Sequence, residues 1–272
     1  MTKFSLTPVD EIHLHHAPLA KVLMQVQFSR TPQLVSDVAE TLIADALGRY
    51  PVRRRQVAVA PAMSVNGQPV AMPQFGPATI LTFADAPGTW QVTLTDTAVA
   101  LETTAYESRD DFVARALEVF RAIASVALPP VVDRVGLRYI DRLSGAALPR
   151  VPEYVVPQLQ VLHGGVAPDL ELQHSVTDSL IKISPSEVLQ VRSGLLPGGA
   201  GFDPALQPLA DTSWVLDMDA YTTEAGFPFD PDALTTKLRS FSETTYAFFR
   251  WATTDDFAAE HVEATTTAND AK

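Results

Sequence analysis

The 272-residue chain has no cysteine, and nowhere does it contain a run of eighteen apolar residues. The absence of cysteine excludes disulfide bonds, thiol nucleophiles and thiolate metal sites, and it is compatible with a reducing compartment. The absence of a long apolar run predicts no transmembrane helix, and the N-terminal residues have no apolar core of signal-peptide length. We therefore expect a soluble, cytoplasmic protein.

Positive charge is also scarce, because 20 Lys and Arg stand against 32 Asp and Glu, which gives a net charge of −12. The excess of acid is concentrated in residues 131–272, which contain 10 basic and 20 acidic side chains. Arg53-Arg54-Arg55 forms a basic cluster, but strand alternation divides it between two faces. Since an acidic surface repels phosphate backbones and anionic lipids, we expect neither nucleic acid nor a membrane as a partner.

Signatures of common catalytic and cofactor sites are missing as well. The sequence has no P-loop and no G-x-S-x-G motif, and the GGAG of residues 198–201 lies among prolines without a flanking strand and helix. His13, His15 and His16 cluster near the N-terminus, but no further ligand at a recognisable spacing completes a metal site. We predict no cofactor, no metal and no catalytic residue, and we favour a protein that is not an enzyme.

The chain does contain enough apolar residues, 46% of the total, for a core without disulfide support. In the first half, alternation predicts a strand over 18–28, and apolar spacing predicts a helix after Thr31-Pro32. Several short strands follow between residues 52 and 104. A capping box at Ser108 then begins a second, long helix.

The second half shows the same order of elements. A strand over 134–143 precedes a helix-like stretch at 153–162, and strands follow at 170–176, 179–184, 187–194 and 213–221. Asp230-Pro231 begins a last long helix. The repeated order suggests an internal duplication within one globular body.

These patterns predict an α+β fold of two similar halves, each with the order β-α-several β-α. The sheet is expected to be mostly antiparallel, with the long helices packed on one face. The predicted organisation is an extended lead-in at 1–17, a first half at 18–130, a second half at 131–257 and a flexible tail at 258–272.

The strand RVGLRYIDRL, residues 134–143, carries arginines on one face, among them Arg138 and Arg142. A later strand places Asp217 and Asp219 together on one of its faces. The preferred interpretation is that these acids pair with Arg138 and Arg142 across neighbouring strands and stabilise the sheet. The alternative is a site that binds an anion.

Three stretches resemble a sporadically distributed bacterial protein family of about this length: APLAKVLMQVQF (17–28), VGLRYIDRL (135–143) and VLDMDAY (215–221). The chain departs from the family pattern at Ala20-Lys21, where Glu is common, and at Asp141, where Asn is usual. Those departures argue against chemistry at either position. The resemblance implies no defined activity, and the patchy distribution of the family indicates an accessory gene.

Three functions are compatible with this sequence. The first is a non-catalytic adaptor or immunity-like protein that binds another protein through the exposed sheet face or through a Gly/Pro-rich loop at 195–212; the proposed loop anchors are Leu195, Leu196, Phe202 and Leu206. An exposed edge strand in either half would also allow a homodimer. The second is a small-ligand-binding domain with a cavity between helix and sheet; the aromatic residues that can line it are Trp214, Phe241, Phe248, Phe249 and Trp251. The third is an enzyme that acts on an anionic substrate through Arg138, Asp217 and Asp219.

Overall fold

The computed structural model describes most of the chain. The described residues are 4–7, 9, 11, 12, 14, 17–58, 63–65, 68–70, 78–160, 169–201 and 207–261. Within these ranges, no helix has the length and apolar character needed to cross a membrane.

Eleven β-strands lie in the described residues. They are β1 (Leu19–Phe28), β2 (Val52–Ala58), β3 (Met63–Val65), β4 (Gln68–Val70), β5 (Ala78–Ala84), β6 (Trp90–Leu94), β7 (Ala98–Thr103), β8 (Val132–Ser144), β9 (Ser175–Ser184), β10 (Glu187–Leu196) and β11 (Ser213–Thr222). Nine of them form one antiparallel sheet in the order β2-β5-β6-β7-β1-β8-β11-β10-β9, while β3 and β4 form a separate hairpin. The predicted antiparallel α+β character is thereby confirmed.

The centre of the sheet is the pair formed by β1 and β8, the opening strands of the two predicted halves. In β1 the alternate residues Val22, Met24, Val26 and Phe28 are almost fully buried, as the period-two pattern requires. Val135 and Leu137 of β8 lie on the same side and are also fully buried. Because β1 and β8 are hydrogen-bonded neighbours, the nine strands on either side of this pair form one continuous sheet.

Six α-helices accompany the strands in the described ranges. They are α1 (Asp37–Ala46), α2 (Arg109–Val126), α3 (Val151–Tyr154), α4 (Pro157–Gln160), α5 (Pro231–Ala252) and α6 (Asp255–His261). The Ser108 hydroxyl accepts a hydrogen bond from the Asp111 N–H and caps α2, and the Asp230 carboxylate caps α5 in the same way. Helix α5 packs on β8 and β11, and α2 packs against α5.

The second half differs from its predicted elements in three places. The helix expected at 153–162 consists of two four-residue helices, α3 and α4, because Pro157 removes a backbone donor just after α3, and residues 161–168 lie outside the described ranges. The strand predicted at 170–176 is wrong for residues 170–174, which are not in a strand, and residues 175 and 176 belong with the strand predicted at 179–184 to a single strand, β9. Helix α6 continues past residue 258, the predicted start of the tail, because Phe257 is buried and His261 stacks on it.

Candidate functional site

A cavity of about 780 Å³ lies between helix α5 and the sheet. Its walls come from the segment before β1, the last residues of β7, the connection from β7 to α2, the strands β8 and β11, and one face of α5. A cavity of this volume is large enough for a small organic molecule. The predicted lead-in is thus part of a wall, since Glu11, Ile12 and Leu14 line the cavity.

The space exists because α5 presents small side chains at this level. Ser242 and Thr245, one helical turn apart, are 3% and 1% exposed and line the cavity together with Phe249. On the sheet side, Tyr139 lies opposite Met218 of β11, and both contribute to the wall. Larger residues at the two helix positions would occupy the volume that these residues leave open.

A chain of hydrogen bonds crosses one end of the cavity. The hydroxyls of Tyr139 and Ser242 lie 2.8 Å apart, and those of Tyr139 and Tyr106 lie 3.4 Å apart. Arg109 donates from Nε to Ser242 Oγ at 3.0 Å and forms an ion pair of 2.6 Å with Glu11. Burial raises the pKa of both tyrosines, so they remain neutral hydroxyls at physiological pH.

Asp141 occupies another part of the wall. It lies on the same face of β8 as Tyr139 and is 6% exposed. No hydrogen bond or ion pair joins its carboxylate to any residue that the structure describes. Burial, and to a smaller extent the negative charge of Asp217, raises the pKa of Asp141 to about 7.

A small gap adjoins the cavity at Asp141. Asp141 and Trp214 both line this gap. The indole N–H of Trp214 is buried and has no hydrogen-bond partner among the described residues. An unpaired acid and an unpaired donor therefore lie at the same end of the cavity, where polar groups without partners are costly.

The opposite face of the sheet carries a ladder of charges across four strands. Arg138 of β8 donates to both carboxylate oxygens of Asp217 of β11, at 2.7 and 2.8 Å. Asp217 also lies 3.7 Å from Arg192 of β10, which pairs with Asp178 of β9 at 3.1 Å. Positive and negative charges thus alternate from β8 to the edge of the sheet, and the ion pair predicted between Arg138 and Asp217 is present.

The partner predicted for Arg142 is wrong. Asp219 pairs with Arg134 at 2.9 Å, whereas Arg142 donates to the Ser213 hydroxyl at 2.8 Å and to the backbone carbonyl of Gln207. The residue directly opposite Arg142 is Val215. Both oxygens of Asp217, which lies opposite Ile140, accept from Arg138, and Asp219 pairs with Arg134, so neither acid of β11 is left for Arg142.

The proposed loop anchors are placed differently from the prediction. Leu195 and Leu196 are the last two residues of β10, with exposures of 6% and 1%, so they are core residues and not exposed loop anchors. The sequence does not reveal this position, because a leucine pair followed by Pro-Gly-Gly is as typical of the start of a loop as of the end of a strand. Phe202 and Leu206 lie outside the described residues, as do His13, His15 and His16.

The aromatic residues that the sequence suggested for a cavity lie in different parts of the structure. Phe249 lines the cavity, and Trp214 lines the adjoining gap. Phe241 and Phe248 belong to the hydrophobic core, and Trp251 packs against Phe4, with ring centroids 5.9 Å apart. The cavity is therefore lined by fewer aromatic rings and by more hydroxyl groups than the sequence suggested.

Several residues of the cavity were not identified from the sequence: Tyr106, Arg109, Tyr139, Asp141 and Ser242. Asp141 had a readable signal, because it shares a strand face with Val135, Leu137 and Leu143, and an acid in an apolar row is unusual. The other four residues have no such signal in the sequence, since they come from separate elements that only the fold brings together.

Among the described residues, no three His, Cys, Asp or Glu side chains are grouped so as to hold a metal ion. The site is thus a partly apolar cavity with a hydroxyl network at one end and an unpaired carboxyl at another. Comparisons with protein-family models, with curated proteins and with solved structures found no match for this chain.

Proposed function

We propose that this protein binds a small molecule in the cavity between α5 and the sheet. The observation that carries the proposal is the cavity itself, whose volume of about 780 Å³ lies in the range of small-molecule sites. Its composition supports the same function, because apolar walls supply contact area and a few convergent polar groups supply orientation.

The arrangement of the charged residues favours binding over catalysis on an anion. Arg138 and Asp217, suggested for an enzyme, are nearly buried and bonded to each other on the face of the sheet opposite Tyr139 and Asp141. An arginine whose fork is engaged by a carboxylate has less capacity to bind a substrate. The same contact gives these residues a structural role as cross-strand pairs.

The test is binding of Nile red, an uncharged apolar dye that fluoresces when it leaves water. Thr245→Phe fills the cavity from α5, and we expect it to lower Nile red affinity at least tenfold. Thr236→Phe is the matched control, because Thr236 is exposed on the same helix and its hydroxyl makes the same bond to the carbonyl four residues back.

Native mass spectrometry of the protein purified from its host gives a second readout. A small molecule that is retained by wild type and lost in Thr245→Phe supports the proposal. Wild type that carries no molecule and binds no Nile red contradicts it, as does equal dye binding by the two phenylalanine variants.

Protein binding is a second candidate function, and the edge of the sheet favours it. Strand β9 is ten residues long and has no neighbouring strand on its outer side among the described residues. Leu180 in this strand is 62% exposed. A long exposed edge with an apolar residue can add a strand from another protein or from a second copy of the chain.

A pull-down from host lysate and a mass measurement of the purified protein test this function. Leu180→Lys should abolish a stoichiometric partner or a dimer. Leu170→Lys should not, although Leu170 is equally exposed, at 61%, because it lies outside the strand. Loss in both variants, or in neither, contradicts binding through β9.

The internal duplication and the relation to the sporadically distributed bacterial family are also proposals. Sheet order supports the duplication: each opening strand lies beside the last strand of its own half, β1 beside β7 and β8 beside β11. In each half a long helix, α2 or α5, then follows that last strand. The halves proposed on this basis are 18–130 and 131–257, with helices on one face of the sheet.

A further inference from the structure

We infer that the ligand of the cavity is an organic ammonium ion, an amine on an apolar body, whose charged group pairs with the carboxylate of Asp141. The inference rests on the proposed small-molecule function and deepens it. The ligand class follows from one residue, because Asp141 is the buried acid of the wall and makes no polar side-chain contact with a described residue.

A buried acid without a partner is costly. Removing a carboxylate from water is compensated only by an opposite charge or by several hydrogen bonds, and no described residue supplies either to Asp141. The neighbouring Asp217 makes the ionised form of Asp141 still less favourable, because the two negative charges repel each other. A positive group delivered by a ligand would remove this unfavourable term, so the protein gains most from a cationic ligand.

The cations near the cavity are engaged elsewhere. Arg109 is held by Glu11 at 2.6 Å and by the Ser242 hydroxyl, and Lys21 pairs with Glu102 at 3.3 Å. The residues directly opposite Asp141 on the two neighbouring strands are Leu19 and Leu216, which carry no charge. Among the described residues, none therefore supplies a positive group to Asp141 at this end of the cavity.

The apolar body of the ligand follows from the remaining wall. Leu14, Leu19, Met218 and Phe249 line the cavity with hydrocarbon and aromatic surface. Such a wall binds an aliphatic or aromatic body through burial of apolar area. The ring of Phe249, which also borders the gap beside Asp141, can contact an ammonium group through its face.

The test compares matched amines and alcohols by titration calorimetry. Benzylamine, phenethylamine and tryptamine are cations near neutral pH, and benzyl alcohol, phenethyl alcohol and tryptophol are their uncharged counterparts. At about pH 8 we expect the best amine to bind at least tenfold more tightly than its alcohol, because an ion pair in a buried site is stronger than a neutral contact.

The pH dependence of amine affinity gives an independent readout. The carboxyl of Asp141, with a pKa of about 7, is ionised in about one molecule in ten at about pH 6, and the affinity for a cation falls with that fraction. Amine affinity should therefore fall roughly tenfold from about pH 8 to about pH 6. A ligand that accepts a hydrogen bond from the protonated acid would show the opposite trend. Alcohol affinity should change little over the same range.

Asp141→Asn keeps the shape of the side chain and removes its charge. We expect this variant to bind amine and alcohol with equal affinity and to lose the pH dependence. Asp169→Asn is the matched control, because Asp169 is an exposed acid outside the cavity lining, and it should behave as wild type. Circular dichroism of each variant verifies that it is folded.

The outcomes separate the two proposals. If Nile red and the alcohols bind but the amines show no preference, no rise of affinity with pH or no dependence on Asp141, the ammonium inference is wrong and the cavity function stands. If Nile red, amines and alcohols all fail to bind, both proposals are wrong.

Discussion

The isolated carboxyl of Asp141 should make folding stability depend on pH in a direction opposite to that of an ordinary paired acid. Its pKa rises from 3.8 in the unfolded chain to about 7 in the folded protein. Both states bind the proton below the lower value, so the stability linked to this group is fully present there and is lost as pH rises towards about 7. The difference between the two values corresponds to roughly 4 kcal/mol of unfolding free energy. Asp141→Asn has no proton to lose and escapes this penalty.

Urea unfolding of wild type and Asp141→Asn at several pH values measures the effect. The free energy of unfolding of the variant, relative to wild type, should increase by about 4 kcal/mol between about pH 4 and about pH 8. Groups other than Asp141 are common to both proteins and cancel in the comparison. Asp169→Asn, at an exposed position, is the control and should follow wild type. A difference that is constant with pH would refute the reasoning, because Asp141 would then titrate alike in the folded and unfolded states.

Three further substitutions test other parts of the structure by urea unfolding. Arg138→Ala should lower the free energy of unfolding by about 3 to 5 kcal/mol, because it leaves the Asp217 carboxylate buried without its main partner. Nile red affinity should stay unchanged, and reduced dye binding in a folded variant would place Arg138 in the site. Gly194→Ala should lower the free energy of unfolding by at least about 2 kcal/mol, because the φ of Gly194 is +150° and an added Cβ would lie 1.8 Å from the Ser175 carbonyl oxygen. Wild-type stability of this variant would contradict the tight pairing of β9 with β10. Tyr139→Phe should lower the free energy of unfolding by about 1 to 2 kcal/mol through loss of the hydrogen bonds with Ser242 and Tyr106, and unchanged stability would contradict a net contribution of these bonds.

The strands and long helices could be predicted because their signals are local. Alternation in β1 and helical spacing in α5 are properties of consecutive residues, and burial follows them closely. Strand β8, at the centre of the sheet, is instead buried on both faces. The pairing of Arg138 with Asp217 could also be predicted, since acids and arginines on the same face of neighbouring strands form ion pairs. The partner of Arg142 could not be predicted, because it depends on the register between strands, which no local sequence pattern specifies.

The cavity could not be predicted, because its walls are contributed by elements far apart in sequence. Ser242 and Thr245 read as unremarkable small residues of an amphipathic helix, and only their position over Tyr139 makes them lining residues. The acid in the apolar row of β8 was visible, but a sequence does not say whether a cation lies opposite it. The structure supplies that information through Leu19 and Leu216.

The central pairing of β1 with β8 has a consequence for synthesis on the ribosome. Phe28 pairs with Val132, and Leu19 pairs with Asp141, so each contact joins residues more than a hundred positions apart. Contacts of such separation slow folding, because a long loop must close before they form. While residues up to about 130 emerge, β1 can pair with β7 but its other edge stays open. The nascent chain thus carries a bare apolar strand edge until the second half arrives, and that interval is when it most needs a chaperone.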